Sequence, residues 1–151
     1  MGTALLDEPK VAPSFYEADE TGWLEETARL ISEGRIGELD LSHLQEYLTD
    51  MAKRDRRQVF SRLRILLAHW LKWEFQPDQR TKSWQLTILG QRAELDQLLD
   101  SGTLLNHARE LLEDAYENAV NQAAVETGLP LSAFPETNPR TLEEWLALSF
   151  V

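Results

Sequence analysis

The stretch RQVFSRLRILLAHWLKWEFQPDQRTKSWQLTILGQR, from Arg57 to Arg92, decides the fold: two strongly apolar segments of helical period joined by a short basic turn. At about 100° per residue, Val59, Leu63, Leu66, Trp70 and Trp73 fall on one line, and Phe60, Leu67 and Leu71 widen it to about half the circumference. A helix with that pattern is buried on most sides. The polar stripe left over, Gln58, Arg62, His69 and Lys72, is the expected place for chemistry or recognition on it. Pro77 has no backbone N–H and pushes Gln76 out of helical geometry, so the helix must end there.

Working outward, the spacing predicts a first helix capped by Asp19 or Thr21, carrying Trp23, Leu24, Thr27, Leu30 and Ile31 inward and ending at Gly34. A second starts at Asp40 or Ser42, where Ser42 and Gln45 have capping-box spacing, and repeats Leu41, Leu44, Leu48 and Met51. No strong breaker lies between Met51 and Arg57, so this helix either runs into the central one or bends near Ala52. Beyond the turn, Thr81 or Ser83 caps a helix bearing Trp84, Ile88, Leu95, Leu98 and Leu99, which Ser101 and Gly102 end. A long amphipathic helix from Thr103 to Thr127 follows, closed by Gly128 and Pro130. Leu129 to Asn138 reads as irregular chain anchored by Phe134. Thr141 and Glu144 form a capping box before a last short helix with Leu142, Trp145, Leu146 and Leu148. Neither strand alternation nor repeats of fixed period occur. The expectation is an all-α, single-domain antiparallel bundle of about six helices over residues 15–151, preceded by a flexible arm at residues 1–14 that contains Pro9 and Pro13.

The composition narrows the chemistry. The 151 residues suit one domain, and without cysteine there are no disulfides, thiolate metal sites or cysteine nucleophiles. No signal-like start or span of about 20 apolar residues appears, and Leu6 stands where an acylation signal wants a hydroxyl. A soluble, cytoplasmic protein without membrane contact is expected. Net charge is −11, which opposes nucleic acid on average, yet residues 53–82 hold nine basic residues against three acidic ones, leaving −17 for the rest. Acidic helices packed around that segment are expected to neutralise it; the alternative is an exposed basic patch for an anionic partner.

The run LRILLAHWLKWEFQPDQRTKSWQLTI resembles domain of unknown function family twenty-nine, a bacterial family common in cyanobacteria. The similarity rests on Ala68, His69, Leu71, Lys72, Trp73, Pro77, Arg80, Ser83 and Trp84. It extends outward to Tyr16, Asp19 and Trp23, to Gly34, Leu39, Asp40, Leu44 and Glu46, and to Phe134, Pro135 and Pro139. Departures are Tyr47, where the family often has a second acidic residue, and Ala52, where it often has glycine. The resemblance implies a helical fold and assigns no activity.

Three functional readings follow. A protein-interaction or regulatory module, acting on a partner or as a homo-oligomer, is expected from the abundance of Trp and Arg and the lack of catalytic signatures. Its anion- or partner-binding candidates are Arg62, Arg80, Lys82 and Trp84. The alternative is a small enzyme or anion-binding protein, with His69, Lys72 and Glu46 as catalytic candidates around a His/Lys/Arg groove. Against it, His69 reads as a hydrogen-bonded core histidine, with Lys72 and Arg80 pairing with carboxylates such as Glu46 or Asp40. The third is nucleic-acid binding through residues 53–64, which requires an exposed, unneutralised basic strip there. His43, His69 and His107 sit on different helices without a pre-placed ligand pair, so no metal is expected, and no phosphate-binding glycine loop calls for a cofactor.

Overall fold

The computed structural model describes residues 15–151, and the arm expected at residues 1–14 lies outside them. Among the described residues there are six α-helices and no strand: α1 Phe15–Ala18, α2 Glu20–Ser32, α3 Leu41–Phe75, α4 Lys82–Leu98, α5 Gly102–Thr127 and α6 Leu142–Ala147. The expected number is reached by another route. The predicted second and central helices are one 35-residue helix, α3, and the four-residue α1 adds a turn that periodicity does not announce. The chain divides into a first compact unit ending at Met51 and a second, Ala52–Val151, with the boundary inside α3.

In the first unit, Asp19 caps α2 by accepting from the Gly22 N–H at 3.0 Å, and Trp23, Thr27 and Leu30 are buried. Trp23 meets Tyr16 edge-on at 4.8 Å and Tyr47 at 6.1 Å. Asp40, rather than Ser42, caps α3: its Oδ1 accepts from the His43 N–H at 3.2 Å. That oxygen satisfies one of the donors a helix start leaves unpaired.

The second unit holds the large core, centred on the fully buried Val59, Leu63, Leu66, Leu67, Leu71, Ile88, Leu95 and Trp145. The residue pairs give helix direction. Arg62 meets Gln91 whereas Lys72 lies over Trp84, so α4 runs against α3. Arg64 meets Gln122 and Lys72 meets Glu126, so α5 runs with α3. This is the up-down-up order that short connections impose. Thr81 and Ser101 cap α4 and α5. Gly34 and Gly128 carry φ of 74° and 77° after α2 and α5, where a side chain would strain the backbone. The capping box of Thr141 and Glu144 opens α6.

The C-terminal chain is tied down by polar side chains. Arg140 forks onto Glu74 at 2.7 and 3.0 Å and lies 4.8 Å over the Trp145 ring. Asn138 accepts the Trp145 indole N–H at 2.8 Å and the Arg140 N–H at 3.1 Å. Phe134 is buried, as its anchoring role requires. The buried indole N–H groups of Trp70 and Trp73 have no hydrogen-bond partner among the described residues.

Candidate functional site

Two groups of cations lie on α3, and they are treated differently by the fold. The first is the polar stripe. Lys72 is buried, its ammonium held 2.8 Å from Glu126 Oε1 and 5.1 Å from the Trp84 ring centroid. Half-buried His69 donates from Nδ1 to the Ile65 carbonyl at 2.9 Å, which leaves Nε2 as the acceptor. Burial holds its pKa below the ordinary value, and the Lys72 charge adds to that. Arg62 bonds Gln91 at 3.3 Å and lies 3.8 Å from Glu94, with its Nε buried and without a partner among the described residues.

Arg80, across the turn, donates from Nε to the Trp73 carbonyl at 2.9 Å, lies 4.6 Å over the Trp73 ring, and also bonds the Val151 carbonyl. The structure thus gathers His69, Lys72 and Trp84, but the carboxylates meeting the stripe are Glu94 and Glu126 from α4 and α5. Glu126 takes the place of the expected Glu46 or Asp40 at Lys72, because the bundle brings α5 alongside α3, and Arg80 bonds backbone carbonyls instead of a carboxylate. Lys82 is exposed at the start of α4.

Glu46 takes part in a separate cluster in the first unit. There the His43 ring pairs with Asp40 and stacks 4.6 Å from Tyr16. The hydrogen bond that the His43 ring donates to Asp40 holds the His43 pKa above its ordinary value. Partial burial, and then the Glu46 carboxylate, raise that of the Tyr16 phenol. Burial alone would raise the Asp40 carboxyl, but its bonds from the His43 ring and N–H outweigh this and hold it low.

The second group of cations is open. Lys53, Arg54, Arg56 and Arg57 are exposed, and none has a carboxylate within salt-bridge distance among the described residues. Arg56 and Arg57 border a groove of about 510 Å³ between α3 and α5, completed by Phe60, Ser61, Arg64, His107 and Leu111. Arg57, Phe60, Ser61 and Arg64 are spaced i, i+3, i+4, i+7, and His107 and Leu111 i, i+4, so each helix offers one face. That spacing was present in the sequence. Phe60 reads there as core, however, and only the fold shows it both packed on the core and lining the groove. A larger cavity, about 690 Å³, lies between α5 and the chain around Phe134 and is rimmed by Glu113, Glu117 and Glu136.

Among the described residues no group of three or more His, Asp or Glu is placed to hold a metal ion. No helix there is long and apolar enough to cross a membrane. Neither a curated protein nor a solved structure matches the chain. The family model described as Domain of unknown function DUF29 matches residues 15–151, covering the cations of α3, the basic turn and the anchored C-terminal chain, and the protein belongs to that family.

Proposed function

We propose that residues 15–151 act as a protein-interaction module that holds an acidic segment of a partner protein on Lys53, Arg54, Arg56 and Arg57. The observation that supports this is the exposure of four cations that have no carboxylate partner among the described residues, in a protein of net charge −11. Fifteen basic residues face 26 acidic ones, so four cations within five residues, interrupted only by Asp55 and without a salt bridge among the described residues, are a departure from the pairing seen at Lys72 and Arg62. Exposed cations of this kind set the encounter rate and the choice of partner.

Binding of nucleic acid through residues 53–64 is the second reading, favoured by the same strip. The remaining charge of −17 disfavours it, because a duplex presents about one charge per 1.7 Å and repels an acidic surface over a long range. The enzyme reading is weaker, since His69 and Lys72 already have internal partners.

A labelled acidic peptide, titrated by fluorescence anisotropy, tests the reading. The double reversal Arg56→Glu/Arg57→Glu is expected to weaken binding at least tenfold, and Lys82→Glu much less. Unchanged binding in the double variant would overturn the proposal. Duplex DNA that binds more tightly than the peptide, with affinity falling steeply as salt rises, would transfer the strip to the nucleic-acid reading.

A further inference from the structure

We infer that the groove between α3 and α5 is a receptor for a phosphate monoester carried on an apolar body, its dianionic head held by Arg56, Arg57 and Arg64 and its body lying on Phe60 and Leu111. The inference deepens the interaction reading and rests on it only for the nature of the partner. The groove, about 510 Å³, is open to solvent; its volume falls within the range of about 300–1,000 Å³ of small-ligand sites, and its accessible lining is mostly apolar although five of its seven residues are polar or charged.

Three arginine side chains border this one groove, mainly through their apolar stems, and three guanidinium heads within reach of its rim suit a phosphate better than a carboxylate. A phosphate monoester carries about −1.5 to −2 charges and three acceptor oxygens, enough to engage more than one planar arginine fork. A carboxylate offers one charge and is satisfied by a single fork.

Arg64 is held ready for that role. Its guanidinium donates to Gln122 Oε1 at 2.9 Å, and Gln122 in turn leans on Glu126 at 3.4 Å. Glu126 also accepts from Lys72. Arg64 is half-buried, no described carboxylate pairs with it, and none of its nitrogens is among the buried unpartnered atoms. Its remaining donors therefore stay accessible to a ligand, and its orientation is set by a chain of hydrogen bonds leading into the core. Ser61, between Phe60 and Arg62 on α3, adds a hydroxyl to the same lining.

The test uses the full chain and phenyl phosphate as probe, followed by NMR at Phe60, His107 and Leu111, with inorganic phosphate and benzoate alongside. Saturable shifts are expected with phenyl phosphate, at an affinity at least fivefold above that of either reference. Arg57→Gln and Arg64→Gln should each weaken it at least fivefold; Arg57 is exposed, so its variant keeps the fold. Equal response to phenyl phosphate and benzoate, or wild-type affinity in both variants, would overturn the inference.

A phosphotyrosyl peptide distinguishes the two sources of the group. At least tenfold tighter binding than phenyl phosphate assigns the ligand to a protein partner, and equal affinity assigns it to a free small molecule. Acidic-peptide binding without phenyl phosphate binding removes the receptor and keeps the interaction module. The reverse result removes the module and keeps the receptor.

Discussion

Lys72 and Arg57 stand fifteen residues apart on one helix, and the fold uses them in opposite ways. Lys72 is buried against Trp84 with its charge matched by Glu126, whereas Arg57 is exposed with no described carboxylate beside it. Taking a charge out of water is costly unless a partner and hydrogen bonds replace the solvent. Lys72 has that replacement because α4 and α5 close over its end of α3. A cation's position in a sequence segment therefore does not decide its role; the helices that reach it do.

The largest expected effect separates the two. Lys72→Ala removes one partner of a buried pair and leaves a cavity beside Trp84, and should cost about 2–4 kcal/mol in urea unfolding, tempered by the partial exposure of Glu126. Arg56→Ala and Arg57→Ala should each stay within about 0.5 kcal/mol of wild type. Equal losses at all three positions would break the comparison.

Arg80 tests an intermediate case, since it is exposed overall yet bonds the Trp73 carbonyl and covers that ring. Arg80→Ala should lower stability by about 1 kcal/mol, with Lys82→Ala as the reference at about zero. A neutral Arg80→Ala would place Arg80 with the open cations.

The smallest effect is in pH dependence, where two histidines should respond in opposite directions. The His43 pKa is raised in the folded chain by its bond to Asp40. Its stabilising contribution is therefore complete below the ordinary histidine value near 6.5 and is lost as pH rises through the folded pKa. The His69 pKa is depressed by burial. Its contribution is present above that ordinary value and is lost as pH falls through the folded pKa. Ring-proton NMR should place one midpoint above about 6.5 and the other below it; superimposed titrations would contradict both environments.

Local signals carried much of the fold. Pro77 and Gly128 mark helix ends, Thr141 with Glu144 marks a start, and the Val59-to-Trp73 line marks the core face, because each acts within a few residues of itself. Continuity of α3 was open in the sequence, where Met51 to Arg57 lack a breaker and nothing demands a bend. The four-residue α1 is too short for any period to show. At the stripe, the wheel places Arg62, His69 and Lys72 together but is silent on partners 29 and 54 residues away, Gln91 and Glu126. Neutralisation of the basic segment was half legible for the same reason. It holds at Arg62 and Lys72, where α4 and α5 bring carboxylates, whereas no described carboxylate pairs with Lys53, Arg54, Arg56 or Arg57.

Gln122 joins the open arginine to the closed lysine pair, and its chemistry gives that connection a direction. Its amide meets a guanidinium at one end and a carboxylate at the other. Turned over, it would set its NH₂ against donors and its oxygen against an anion, repulsive at both contacts. The amide can therefore sit only one way round, and it works as a keyed spacer between two opposite charges. Gln122→Glu would favour Arg64 while setting two carboxylates against each other, and Gln122→Lys would do the converse. Of the polar side chains, only an uncharged one with a donor and an acceptor on separate atoms fits both neighbours at once.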